Sequence, residues 1–126
     1  MKAKRILKFY FSAEGIERHI DELILKRACN FGGETDDTAE EICELIGEKL
    51  KLARLWKYLD GVMVKLSEDE KKYLMYYAYL RQGLKSQPPE LYRIMRSTIA
   101  KFTRHARRLE SFFEESMLVD KYYYVM

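Results

Sequence analysis

The stretch "TAEEICELIGEKLKLARLWKYLDGVMVKL", residues 38–66, carries apolar side chains at alternating steps of three and four. This spacing keeps them on one side of a helix, so the stretch predicts one long amphipathic helix. Its stripe, with one polar interruption at Lys49, consists of Ile42, Leu45, Leu52, Trp56, Leu59, Met63 and Leu66. The stripe is widened by Ile46, Leu50, Ala53 and Leu55. That width favours a buried bundle helix over a two-stranded coiled coil, although the heptad spacing alone leaves a homodimer open.

Capping signals predict where two helices begin. Thr38 with Glu41 has the spacing of a capping box, in which side chains satisfy the free amides of a helix N-terminus. Ser67 with Glu70 repeats the signal directly after the long helix. A third helix is therefore expected from this second box to Gly83.

Glycines and prolines predict the remaining boundaries. The first helix is expected to begin near Ser12, and "NFGGETDD", residues 30–37, is expected to be a loop. Pro88 and Pro89 end a second break, because proline can begin a helix but cannot lie inside one. The fourth helix is expected over residues 89–117. The tail that follows breaks the helical period and is expected to be a short strand or a packed arm.

The predicted fold class is all-α, a single-domain bundle of about four main helices in which the second and fourth are long. A chain of 126 residues suits one domain with a sizeable core. Residues 1–66 are expected to form a helical hairpin, residues 67–117 a second helical segment and residues 118–126 a tail. The core is expected to contain Trp56, Leu59, Leu74, Ile99 and Phe102.

Positive charge is concentrated late in the chain. The net charge is +3, but residues 81–108 carry eight bases against Glu90 alone, whereas residues 12–72 carry 15 acids against 10 bases. On a helix, the bases from Arg93 onward fall within an arc of about 140°, opposite the apolar residues. Such a face suits phosphate, although a merely solvated face is the competing interpretation. The predicted nucleic-acid-binding residues are Arg93, Arg96, Ser97, Lys101, Arg104, Arg107 and Arg108.

The sequence contains no catalytic or metal-binding motif. His19 and His105 lie on different predicted helices, without a ligand partner at a recognised spacing. Cys29 and Cys43 are fourteen residues apart and are interpreted as free thiols of a reducing compartment. We therefore expect no enzyme activity, no metal and no cofactor. No apolar run approaches the length of a membrane span, so we expect no membrane partner and a cytoplasmic location.

Two segments resemble a known family. "LSEDEKKYLMYYAYLRQG", residues 66–83, resembles the helix that opens region four of bacterial RNA polymerase sigma factors. "RSTIAKFTRHARRL", residues 96–109, resembles the recognition helix that follows about twenty residues later in that helix-turn-helix family. The two-helix segment before them resembles the N-terminal half of phage-type sigma-like regulators. The pattern departs from the family at Pro88 and Pro89, which stand where the first helix of the motif belongs.

The resemblance implies a DNA-binding transcriptional regulator whose partners are DNA and RNA polymerase. The alternative is an all-helical protein-interaction module or homodimer that binds no nucleic acid. The backbone of residues 86–100 discriminates between them, and in particular whether a turn lies between Met95 and Ser97. A turn there favours the regulator, and one unbroken helix disfavours it.

Overall fold

Every element of the described residues is helical, and the all-α prediction is confirmed. The computed structural model describes residues 3–29, 36–107 and 113–126. In chain order the elements are α1 (Ala3–Cys29), α2 (Asp36–Met63), α3 (Glu68–Ala78), a 3₁₀ turn (Leu84–Ser86), α4 (Pro89–Ala106), α5 (Phe113–Lys121) and a second 3₁₀ turn (Tyr123–Val125).

Helix α1 begins at Ala3, and the expected start near Ser12 is wrong. The basic residues Lys4 and Arg5 interrupt the apolar pattern of the N-terminal segment, but both are held by tertiary contacts. Lys4 Nζ binds the carbonyl of Leu80, and Arg5 Nη1 lies 2.9 Å from Asp120 Oδ1. At 27 residues α1 is a long helix too, in addition to α2 and α4, which were expected to be long.

Helices α1 and α2 form an antiparallel hairpin. Tyr10 near the start of α1 donates to Asp60 Oδ1 near the end of α2, at 2.7 Å. Arg27 near the end of α1 lies 2.7 Å from Glu41 near the start of α2. Because α2 already includes Thr38, the capping box predicted at Thr38 and Glu41 is wrong, and Glu41 instead pairs with α1.

The core side of α2 is narrower than its apolar stripe. Leu52, Leu55 and Leu59 are buried, and Trp56 is half-buried. Ile46 and Leu50, which were expected to widen the buried stripe, are 44% and 61% exposed. These two apolar residues of α2 therefore lie outside the core.

Helix α3 begins as predicted and ends early. Ser67 Oγ accepts from the Glu70 amide at 3.2 Å, and Glu70 Oε1 accepts from the Ser67 amide at 2.9 Å, which completes the capping box. The helix ends at Ala78, not at Gly83. Two residues after the helix, the carbonyl of Leu80 accepts a hydrogen bond from Lys4 of α1. The chain therefore leaves the helix and packs on α1.

Helix α4 begins at Pro89, after Pro88 as its cap, as the prolines predict. The single helix expected over residues 89–117 is wrong, since α4 ends at Ala106 and a separate α5 begins at Phe113. The apolar face of α4 buries Met95, Phe102 and Ala106.

The C-terminal tail is helical and not a strand. Tyr122, directly after α5, is 2% exposed and lies in the same core cluster as Leu59 and Leu74. Leu59, Leu74 and Phe102 are fully buried, whereas Trp56 and Ile99 pack at the edge of this core.

Candidate nucleic-acid interface

The basic face of α4 is open to solvent. Its residues follow one another at helical spacing from the first turn to the end of the helix, opposite the buried Met95, Thr98 and Phe102. The exposed members of the predicted site are Arg93, Arg96, Ser97, Arg104 and Arg107, with Ala100 exposed between them. Arg108 lies outside the described residues.

Four guanidinium groups of this face keep their charge available. Within residues 3–29, 37–107 and 117–126, no carboxylate forms an ion pair with Arg93, Arg96, Arg104 or Arg107. Ordinary exposed helix faces mix charges of both signs and gain stability from the resulting pairs. This face therefore has the charge distribution expected of a surface that meets an anionic partner.

Lys101 differs from the other predicted residues. It is half-buried at the edge of the face, and its Nζ lies 3.0 Å from Glu70 Oε1 of α3. Glu70 also caps α3, and the amide of Ser67 and the ammonium of Lys101 together hold the pKa of Glu70 below its ordinary value. Lys101 thus joins α4 to α3 as well as lying beside the arginines.

Ser97 and Ala100 make a shallow depression in the middle of the face. A groove of 560 Å³ is lined there by Pro89, Tyr92, Arg93, Arg96, Ser97 and Ala100. The Arg96 guanidinium donates to the Tyr92 hydroxyl at 3.3 Å, which orients it along this groove. Small side chains flanked by arginines let another molecule approach the helix backbone closely.

The helix is continuous where the family resemblance requires a turn. Residues Met95 and Ser97 lie inside α4, which runs unbroken from Pro89 to Ala106. The preceding connection, residues 79–88, contains the 3₁₀ turn Leu84–Ser86 and is longer than the turn of about three or four residues in a helix-turn-helix. Residues 96–106 of the recognition-helix segment are therefore the C-terminal part of α4.

Exposed apolar and aromatic side chains near the end of α3 and directly after it form a second surface feature. Met75, Tyr76 and Tyr79 are 49%, 48% and 46% exposed, and together with Lys72 and Arg81 they line a shallow depression. Tyr77 packs partly against the core. The tyrosines of residues 73–79 are too closely spaced on a helix for all of them to face the core, so the sequence predicts that some of their rings are exposed to solvent. The periodicity does not predict that Met75 is exposed beside them.

The histidines and cysteines are not gathered into a site. His19 Nε2 is 2.8 Å from the hydroxyl of Tyr124, and Cys29 and Cys43 are both exposed free thiols. Across the described ranges no three histidine, cysteine, aspartate or glutamate residues converge as metal ligands.

Two further observations bear on the class of protein. Among the described helices, none combines the length and the apolar character that crossing a bilayer requires. No family model, no curated protein and no solved structure matches this chain.

Proposed function

We propose that this chain is a DNA-binding transcriptional regulator that contacts the duplex through the basic face of α4. The observation that carries the proposal is the row of exposed arginines, Arg93, Arg96, Arg104 and Arg107, without a described carboxylate partner. The resemblance of residues 66–109 to sigma region four adds RNA polymerase as the expected protein partner. In this proposal the chain acts in the cytoplasm and has no catalytic role.

The dimensions of α4 are compatible with this task. Its 18 residues span about 27 Å, and a helix of ordinary diameter fits the major groove of B-DNA. Arginine binds phosphate through two parallel hydrogen bonds and reads guanine in the same way. Ser97 and Ala100 at the centre of the face leave room for a phosphate or a base edge near the helix backbone.

The unbroken helix alters the expected docking geometry. Without a turn before Ser97, the first helix of a helix-turn-helix cannot cross the backbone beside the recognition helix. We therefore expect α4 to lie on the duplex as a single helix, with phosphate contacts supplying most of the affinity. Binding of this kind falls steeply with salt, because every phosphate that an arginine neutralises releases condensed counterions.

The proposal is tested by fluorescence anisotropy of a labelled duplex titrated with the protein at several salt concentrations. Arg93→Ala/Arg104→Ala should weaken binding and reduce the log–log salt slope by about two, one for each lost phosphate contact. The matched control is Lys26→Ala/Lys57→Ala, which removes two exposed bases from α1 and α2. It should leave the slope unchanged.

Two outcomes separate the possible mechanisms. Loss of sequence preference together with affinity in the arginine variant would place base edges, as well as phosphates, against α4. Absence of duplex binding at low salt, or equal effects of the two double variants, would contradict the proposal.

A second candidate function is an all-helical protein-interaction module whose basic face binds an acidic protein surface. The continuity of α4 favours it, because this geometry needs no helix-turn-helix. The exposed Met75 and Tyr76 of α3, with Tyr79 directly after the helix, also favour it, since aromatic residues and methionine are enriched in protein interfaces. Under this function, Arg93→Ala/Arg104→Ala would weaken binding to a protein partner while duplex DNA remained unbound.

A further inference from the structure

Three exposed tyrosine rings lie close together where the end of α3 and the C-terminal 3₁₀ turn pack on α1. Tyr76 and Tyr79 line the shallow depression at the end of α3, and Tyr123 belongs to the C-terminal turn. Lys8 of α1 contacts two of the rings, since its Nζ is 5.9 Å from the ring centroid of Tyr79 and 5.1 Å from that of Tyr123. All three tyrosines remain exposed to solvent.

The hydroxyl groups of two of these tyrosines are already bonded within the chain. The Tyr79 hydroxyl lies 2.6 Å from Ser12 Oγ, and the Tyr76 hydroxyl donates to Gln87 Oε1 at 3.3 Å. A tyrosine in an interface ordinarily uses its hydroxyl as well as its ring. Here the ring faces are the main groups left for a partner. The surface therefore suits a ligand that has flat aromatic faces of its own.

The cations beside these rings favour an anionic ligand. Among the residues whose side chains the structure describes, Lys8, Lys72 and Arg81 form no ion pair with a carboxylate. No acidic residue lines the depression to which Lys72 and Arg81 belong. Near Tyr123, the Asp120 carboxylate is already paired with Arg5 at 2.9 Å. The positive charge of this surface is therefore available to a partner.

We infer that this surface binds single-stranded nucleic acid. Its members, which we call the tyrosine–cation surface, are Tyr76, Tyr79, Tyr123, Lys8, Lys72 and Arg81. Exposed aromatic rings stack on bases of any sequence, while neighbouring cations contact the phosphates. A duplex keeps its base faces inside the stack, so only unpaired bases can use the rings. The inference does not rest on the proposed duplex binding, because this surface shares no residue with α4.

The first test is fluorescence anisotropy with labelled oligothymidylate and oligouridylate, each about 16 nucleotides long. Wild type should bind at low salt, and the tighter of the two oligomers identifies DNA or RNA as the preferred strand. Tyr79→Leu should weaken binding about tenfold, because one base loses its stacking partner. Tyr79→Phe should bind like wild type, since it keeps the ring and loses only the hydroxyl.

The matched control for the ring is Tyr124→Leu. It removes an exposed tyrosine that is bonded to His19, about 16 Å along α1 from Lys8. This variant should bind both oligomers like wild type. Circular dichroism should show that the leucine and phenylalanine variants are all folded.

The second test separates phosphate contacts from stacking and from α4. Lys72→Ala/Arg81→Ala should reduce the log–log salt slope by about 1.4, because each phosphate contact of a single strand contributes about 0.7. Tyr79→Leu should leave the slope unchanged. In the Arg93→Ala/Arg104→Ala background, Tyr79→Leu should still weaken oligothymidylate binding about tenfold. Failure of this surface is thus distinguishable from failure of the α4 face.

Polyglutamate competition distinguishes a nucleic acid from an acidic protein. Polyglutamate of equal charge should compete poorly with oligothymidylate, since it offers negative charge without aromatic faces. Equal competition by the two polymers would assign the surface to an acidic protein and overturn the inference. Absence of binding to both oligomers at low salt, or a loss in Tyr79→Phe or Tyr124→Leu as large as in Tyr79→Leu, would overturn it as well.

Discussion

The hydroxyl of Tyr122 donates a hydrogen bond to the carboxylate of Glu48, and these two residues are only 2% and 7% exposed. The contact joins the C-terminal segment to the middle of α2. Lys121 Nζ reaches the other oxygen of Glu48, so the buried carboxylate is satisfied on both sides. Burial and the neighbouring Glu48 together raise the pKa of Tyr122, which keeps the phenol protonated as the donor.

Tyr122→Phe should therefore destabilise the fold. The ring still fills its place in the core, but one oxygen of Glu48 loses its partner, and an unsatisfied buried acceptor costs about 1–3 kcal/mol. Tyr123→Phe is the control, because Tyr123 is 39% exposed and its ring lies near the cations of Arg5 and Lys8, contacts that phenylalanine keeps. Urea unfolding of the three proteins measures the difference. Equal stabilities of the two variants would show that the Glu48 contact contributes nothing.

The capping box of α3 can be recognised from the sequence alone, because it joins Ser67 to Glu70 within one helical turn. Ser67→Ala removes the acceptor of the Glu70 amide and should cost about 1 kcal/mol in the free energy of unfolding. Ser97→Ala is the control, since Ser97 is exposed in the interior of α4, where alanine is the better helix former. Denaturant unfolding should show a loss for the first variant and none for the second. A Ser67→Ala protein as stable as wild type would contradict the assigned cap.

Signals of this local kind explain what the sequence predicts well. Ser67 with Glu70, and Pro88 with Pro89, fix the starts of α3 and α4 through contacts within a few residues. A helical projection of residues 89–106 likewise places the arginines on one side of α4, because the face on which a residue lies depends only on residue spacing. The same reasoning fails where a distant element decides. Whether Leu50 or Leu52 faces the core depends on where α1 packs, and both residues fit an apolar stripe.

In the candidate site, too, the spacing of residues predicts some features, whereas contacts between distant residues decide others. Exposure of Arg93, Arg96 and Arg104 follows from their spacing, whereas the pairing of Lys101 with Glu70 joins residues that are 31 positions apart on separate helices. The start of α1 at Ala3 also involves distant residues, since Lys4 binds the Leu80 carbonyl and Arg5 pairs with Asp120.

Trp56 should contribute less to stability than a fully buried aromatic residue. It is half-buried, stacks on Tyr10 with ring centroids 5.4 Å apart, and donates its indole N–H to the Tyr10 carbonyl at 3.2 Å. Phe102 is 0% exposed, and Phe102→Ala should cost about 3–5 kcal/mol. Trp56→Ala should cost less than this, because the indole ring at the core edge is only partly buried. Urea unfolding followed by circular dichroism compares the two, and a larger loss at Trp56 would contradict its position at the core edge.

Lys101 should lower the pKa of Glu70. The carboxylate accepts one hydrogen bond from the Ser67 amide, which is the larger cause of the shift, and another from Lys101. Because both hydrogen bonds favour the charged form, the pKa of Glu70 lies below its ordinary value of 4.5. A group whose pKa is lowered by folding stabilises the folded protein above its unfolded pKa. That contribution disappears as the pH falls through the folded-state pKa. The acid limb of the stability curve below pH 4.5 should therefore include the titration of Glu70.

Lys101→Met removes one of the two contacts and keeps the apolar stem of the side chain. The pKa of Glu70, followed by NMR titration of its side-chain carboxyl carbon, should rise toward 4.5 without reaching it, because the Ser67 amide still donates. Arg104→Met is the control, since Arg104 is exposed on the same helix and pairs with no described carboxylate. An unchanged Glu70 pKa in Lys101→Met would mean that the 3.0 Å ion pair does not persist in solution. Lys101 would then be as accessible to phosphate as the arginines beside it.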